Sequence, residues 1–141
     1  LYTYMKSLKY LQTLFNTTTT INHETGKEIH PPLPEIKKIY PGHGPVIEKD
    51  AIHKIEEYIH HRQEREHQIK ALLLIVHNHH QDNREATWLS SWEIMKSIYP
   101  PLPFMTQISA QWNVSHHLEK LKTEETIEYR WPDLWRIKIQ D

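Results

Sequence analysis

Histidine offers the most chemistry in this chain, and one of its 12 histidines stands apart. His43 lies between Gly42 and Gly44, behind the strand-like run Ile36-Lys37-Lys38-Ile39-Tyr40 and ahead of Pro45-Val46-Ile47. An imidazole between two glycines at a strand end can be presented with little steric hindrance, as a metal ligand must be. One histidine does not complete a catalytic zinc site, so on spacing alone the tripeptide reads equally as a tight turn.

The other histidines supply no partners for it. His60-His61, His79-His80 and His116-His117 are adjacent pairs, and neighbours on a helix point about 100° apart, so none of the three pairs can chelate one ion. His53, His60 and His67 share a helical face, but seven residues of helix span roughly 10.5 Å. That is too far for one zinc with bonds near 2 Å, and a solvated polar face is expected. Glu56, Glu57, Glu64 and Glu66 alternate with Lys54, Arg62, Arg65 and Lys70, a pattern of ordinary surface pairing. No acid/base pair stands out among the carboxylates. The chain has no phosphate-binding glycine loop and no serine in a nucleophile elbow.

These groups must be carried by a sequence of elements that the hydrophobic periodicity lays out. Leu1, Met5, Leu8, Leu11 and Phe15 fall on one face of a helix over residues 1–15. Residues 16–35 break the pattern with a threonine tract, Gly26, Pro31, Pro32 and Pro34, and predict a long loop. A short strand follows at 36–40, then the Pro-Gly-His-Gly-Pro turn. Asp50 is placed to cap a helix over 51–77 with an apolar stripe through Ile52, Ile55, Ile59, Ile69, Leu72, Leu73 and Val76. The middle of that helix, 60–68, is wholly polar, which suits a solvated stretch or a crossing between two bodies.

The remainder has a different rhythm. Ser90 or Ser91 caps a short helix to about Tyr99, with Glu93 placed for a capping box. Pro100, Pro101 and Pro103 force a break. A second helix over 104–122 is expected to turn Ile108, Trp112, Ser115, Leu118 and Leu121 inward. Two strands, 126–131 and 134–139, alternate around a Pro132-Asp133 turn. Helix, helix, hairpin is the order of a winged-helix module. Its cations (Lys120, Lys122, Arg130, Arg136, Lys138) are nearly matched by Glu119, Glu124, Glu125, Glu128 and Asp133. Auxiliary packing or single-strand guidance suits it better than operator binding.

Composition sets outer limits. The 141 residues are enough for one domain or two small pieces of larger ones, and 38% hydrophobic with 25% charged residues is globular, on the polar side. Without cysteine there is no disulfide framework and no thiolate metal site. A formal net charge of −1 favours no particular partner. No apolar run approaches the roughly 20 residues that cross a bilayer. The opening at Leu1, already inside a helical pattern, predicts a truncated start and a targeting segment out of view.

Four groups of residues, in order, carry a resemblance. They are Leu1-Tyr2-x-Tyr4-Met5-x-Ser7-Leu8; Ile39-Tyr40-Pro41-Gly42-His43-Gly44-Pro45-Val46-Ile47; Lys54-Ile55-x-x-Tyr58-Ile59-x-His61-Arg62-x-x-Arg65-Glu66-x-Gln68-Ile69; and His117-Leu118-x-Lys120-Leu121. So arranged, they resemble the C-terminal half of the beta-lactamase-like protein 2 group of the metallo-β-lactamase superfamily. The resemblance implies an α+β chain, the C-terminal fragment of an αββα sandwich followed by a winged-helix-like domain. Residues 1–48 would belong to the sandwich, with 16–35 as an inserted loop, and 49–141 would form the bridging helix and the winged-helix-like domain.

It further implies zinc as cofactor, two ions in the full-length fold, with His43 as the metal ligand this segment supplies. Tyr40, Pro41, Gly42 and Gly44 support it. The family's His-x-His-x-Asp-His run is absent and would lie before Leu1, so the site here is incomplete, holds no catalytic residue and predicts an inactive fragment. The whole protein would be an endoribonuclease acting on single-stranded RNA, intracellular, in cytoplasm or mitochondria, and not membrane-bound. Two other readings stand beside it: an acyl thioesterase-type metallohydrolase taking a small acyl substrate, and a non-catalytic winged-helix binding module.

Overall fold

The computed structural model describes residues 1–16, 38–42, 44–80, 83 and 87–139, with the side chains of 14–16 excepted. The chain divides into two units, Thr3–His61, and Leu1–Tyr2 with Arg62–Asp141. The expected loop at 16–35 lies, beyond its first residue, outside the described residues.

Helix α1 runs Tyr2–Asn16, mostly in the first unit; among its described side chains Met5 and Leu8 are buried, and that of Phe15, expected on the same face, lies outside the described residues. Leu11, expected on the same face, is exposed. The expected strand at 36–40 is, among the described residues, a single antiparallel bridge between Ile39 and Ile47. Helix α2, Ala51–His79, starts where expected, and the Asp50 carbonyl accepts the first helical hydrogen bond from Lys54 N at 3.0 Å. Asp50 itself has φ +53°, the left-handed region, and not the extended backbone of an ordinary N-cap. Ala51, Ile55 and Ile59 are buried, while His53 and His60 are exposed, as is His67 further along.

The second unit is a helical layer on a small sheet. Strand β1 (Leu89–Ser90), helix α3 (Ser91–Ile98), helix α4 (Phe104–Thr123) and the hairpin β2 (Ile127–Arg130) and β3 (Leu134–Ile137) follow in order. The sheet is antiparallel in the order β1-β3-β2, with Leu89 opposite Trp135 and Tyr129 opposite Trp135. The two-residue β1 was not legible as a strand: it is too short for alternation to show. Ser90 closes a full capping box, its Oγ accepting from Glu93 N at 3.2 Å while Glu93 Oε2 accepts from Ser90 N at 2.8 Å.

One core serves this unit: Ile69 and Leu73 of α2, Ile94 and Met95 of α3, Ala110, Val114, Leu118 and Leu121 of α4, Ile127 and Trp135 of the hairpin. The inward face of α4 therefore differs from the expected one. Leu118 and Leu121 are buried, but Ile108 and Trp112 are exposed and Ser115 is half-buried. At about 100° per residue, Trp112 stands some 120° round from Leu118, whereas Val114 is only about 40° away. The line through Ile108, Trp112 and Ser115 continues into Glu119 and Lys122, which belong in water. The line through Ala110 and Val114 continues into Leu118 and Leu121.

The wing is tied to the helices by polar contacts. Asp133 in the β2–β3 turn accepts hydrogen bonds from Ser91 N at 3.1 Å, Ser91 Oγ at 2.6 Å and Trp135 Nε1 at 2.8 Å. Gln111 of α4 donates to Ser91 Oγ at 2.9 Å.

The phase of α4 yields a direct comparison. Leu118→Ala should lower unfolding free energy by about 2–5 kcal/mol, and Trp112→Ala should change it by no more than about 0.5 kcal/mol. Urea unfolding of the two variants checks this, and the reverse order would restore the expected stripe.

Candidate functional site

The loop carrying the glycine-histidine-glycine tripeptide is closed at its neck. Ile39 N donates to Ile47 O and Ile47 N to Ile39 O, both at 3.0 Å. Just outside that pair, Lys38 Nζ meets Glu48 Oε1 at 3.1 Å, an exposed contact of little energetic weight. Between the paired residues the loop stands in solvent: Tyr40 is 75% exposed, Gly42, Gly44, Pro45 and Val46 are exposed, and Pro41 is half-buried. His43 lies outside the described residues. Gly44 has φ +99°, a conformation that an L side chain adopts only with strain. A Cβ on Gly42 or on Gly44 would meet nothing within 4 Å, so the demand at Gly44 is conformational and not one of space. Among the described residues no group of three or more His, Cys, Asp or Glu is arranged to hold a metal ion.

A second charged constellation escaped sequence reasoning. Glu66, read as a surface carboxylate, is only 7% exposed, between Lys120 at 8% and His117 at 1%. Lys120 Nζ donates to Glu66 Oε2 at 2.8 Å and to Glu124 Oε2 at 2.9 Å. His117 Nδ1 lies 3.4 Å from Glu66 Oε1, but neither atom makes an aligned hydrogen bond, so the ring acts on the carboxylate by proximity. Arg65, one residue back, stacks 4.0 Å over the Tyr99 ring and donates to the Ile98 carbonyl at 3.4 Å. The signal was present as Glu66 on α2 and as His117 and Lys120 spaced three apart on α4. The wholly polar middle of α2 hid it.

Burial pushes the Glu66 carboxyl up, but the His117 ring and the Lys120 ammonium outweigh burial and hold it below the ordinary carboxylate value. Burial likewise pulls Lys120 down, while the bonds to Glu124 and Glu66 outweigh it and raise the ammonium above the ordinary lysine value. The ammonium is bonded to Oε2 of Glu66 and to Glu124. The cluster is an ion pair joining α2 to α4.

Three cations at and beside the wing are paired with carboxylates. Arg136 pairs with Glu128 at 2.6 Å, Lys122 with Glu119 at 3.5 Å and Lys138 with Glu125 at 3.7 Å, as the near-matched charges of the sequence suggested. The guanidinium groups of Arg130 and Arg136 lie 4.7 and 4.5 Å from the Trp88 ring. No helix of the described residues is long and apolar enough to cross a membrane.

Comparison with known proteins bears on the whole arrangement. Residues 90–130 match the beta-lactamase associated winged helix domain. A beta-lactamase-like protein 2 homolog of Drosophila melanogaster is 40% identical over 88 residues, which cover 62% of this chain and 27% of the relative. One of Caenorhabditis elegans is 34% identical over 91 residues, 64% of this chain and again 27% of the relative. The chain thus spans about a quarter of the length of these curated relatives.

Two outcomes follow from the geometry. The Glu66 carboxyl is depressed in the folded state, so its stabilisation is full above the ordinary carboxylate range and is lost as pH falls through the folded value. The Lys120 ammonium is raised, so its stabilisation is full below the ordinary lysine value and is lost as pH rises through the folded one. Lys120→Met should lower stability at neutral pH by about 3–5 kcal/mol, remove the alkaline limb and shrink the acid limb; melting temperature against pH checks it. In the loop, Gly44→Ala should cost about 1–2 kcal/mol and weaken amide-exchange protection of Ile39 and Ile47, whereas Gly42→Ala should leave that protection intact.

Proposed function

We propose, from the matches to beta-lactamase-like protein 2 homologues and to the beta-lactamase associated winged helix domain, which point to the metallo-β-lactamase family in general, that this chain is the C-terminal part of a zinc-dependent hydrolase of that fold, an endoribonuclease acting on single-stranded RNA. Residues 1–48 would complete the αββα sandwich, and 49–141 would form the bridging helix and winged-helix-like domain beside the cleft. His43 is the metal ligand of this segment, with Tyr40, Pro41, Gly42 and Gly44 shaping the loop that carries it.

The observation that best supports this reading is the pairing of the winged-helix match over 90–130 with a glycine-flanked loop pinched shut at Ile39 and Ile47. A neutral imidazole is a common ligand for zinc. A single imidazole does not make a zinc centre, and the described residues add no cluster to it, so no hydrolytic step is assigned to them. When bound, zinc in such folds lowers the pKa of its water and polarises the phosphoryl oxygen. Residues of this chain would contribute the ligand and the rigid neck behind it.

The test uses the full-length protein. It should retain zinc through dialysis and cleave a fluorescent single-stranded RNA. Losing an outer-shell partner of a ligand costs about 10–100-fold, and His43→Ala should lose activity at or beyond the upper end of that range while its melting profile without metal is kept. Unchanged zinc content and cleavage in His43→Ala would remove the ligand role. Hydrolysis of an acyl thioester with no cleavage of RNA would replace the substrate class.

A further inference from the structure

The break between α3 and α4 does more than stop a helix. It reads Tyr99-Pro100-Pro101-Leu102-Pro103-Phe104-Met105, and the same Pro-Pro-Leu-Pro tetrapeptide occurs once more at 31–34. Each residue that precedes a proline is barred from the helical region, so Tyr99, Pro100 and Leu102 are all driven toward extended or polyproline II backbone. The structure agrees at both ends: Tyr99 has ψ 146°, and Pro103 has φ −55° and ψ 147°. With about three residues per turn, Pro100 and Pro103 share one edge, Pro101 takes a second and Leu102 a third.

The third edge is the anchored one. Leu102 packs against the core of the unit, and its carbonyl accepts from Gln107 Nε2 at 2.7 Å. Gln107 N also donates to the Pro103 carbonyl at 3.0 Å. The other two edges are in solvent, since Pro100, Pro101 and Pro103 are all exposed. Phe104 and Met105 follow at 69% and 73% exposed. Apart from Leu102, residues 100–105 form an unbroken exposed apolar run, which a folded surface carries only for a use.

We infer that residues 100–105 are a docking segment for a protein module that reads polyproline II through an aromatic-lined groove, of the WW type. Such grooves take exposed proline edges and exploit a backbone already fixed before binding. Here the prolines fix the backbone and Leu102 holds it to the core, so little order remains to be imposed. Charge separates this occupant from its rivals: no Asp, Glu, Lys or Arg occurs from Ser97 to Leu118. An SH3 domain that relies on a charged residue beside the prolines finds only Arg65, already stacked on the Tyr99 ring and bonded to the Ile98 carbonyl, and the segment itself offers a nucleic acid no cation. Phe104 and Met105 extend the contact where α4 begins.

A purified, isotope-labelled WW domain selected for Pro-Pro-Leu-Pro peptides is titrated with the full chain. Shifts confined to its aromatic groove are expected. Pro100→Ala/Pro101→Ala, which leaves Pro103 and α4 intact, should weaken binding by about tenfold or more, about 1.4 kcal/mol, with near-ultraviolet dichroism unchanged. Pro31→Ala/Pro32→Ala should leave the affinity within about twofold. If the first variant unfolds, a synthetic peptide of residues 97–106 must instead compete with the wild-type chain for the groove. The inference is overturned by no shift with the wild-type chain, by loss of binding on replacing Pro31 and Pro32 alone, or by equal binding to an SH3 domain. Self-association of the chain that the Pro100/Pro101 variant abolishes would assign the face to a second copy, and would overturn it too.

Discussion

The phase of helix α4 decides the rest of the second unit. Its 3.6-residue repeat turns Val114, Leu118 and Leu121 into the core and in the same turn carries His117 and Lys120 against Glu66 of α2. Burial of a leucine is worth about 1.5–3 kcal/mol, and a rotation that moved Leu118 out would also leave Glu66 buried without its ammonium. The apolar and ionic contacts therefore select the same rotation. What remains on the far side of α4 is forced outward: Ile108 and Trp112 face solvent because the opposite face is full.

The three-stranded sheet depends on that helix in turn. Ile127 and Trp135 reach the core from the hairpin, and Asp133 binds the start of α3 while Gln111 of α4 reaches the same Ser91 hydroxyl. Three elements meet at one buried serine. This is a winged-helix frame whose turn is fixed by hydrogen bonds, with its surface cations matched by carboxylates.

Much of this was legible in the sequence. The bounds of α1, α2, α3 and α4 followed from periodicity, from the Ser90-Glu93 capping box and from the proline break, and the hairpin followed from alternation around Pro132-Asp133. The resemblance to the beta-lactamase-like protein 2 group also agrees with the relatives that match. Local signals failed where tertiary contacts decide. Ile108 and Trp112 are as apolar as Val114, so hydrophobicity alone could not choose a face of α4. Glu66 looks like its solvated neighbours until α4 covers it. Of the strand expected at 36–40, residues 36 and 37 lie outside the described residues, and Ile39 forms one antiparallel bridge with Ile47. His43 was legible as a residue type in a telling setting, but its ligand role is a property of a site that one segment does not complete.

That role is the claim on which the functional account turns. Anomalous diffraction at the zinc edge from crystals of the full-length protein tests it most directly. The account predicts a peak about 2.0–2.1 Å from a ring nitrogen of His43. A zinc peak elsewhere, with the His43 ring turned away from it, would contradict it.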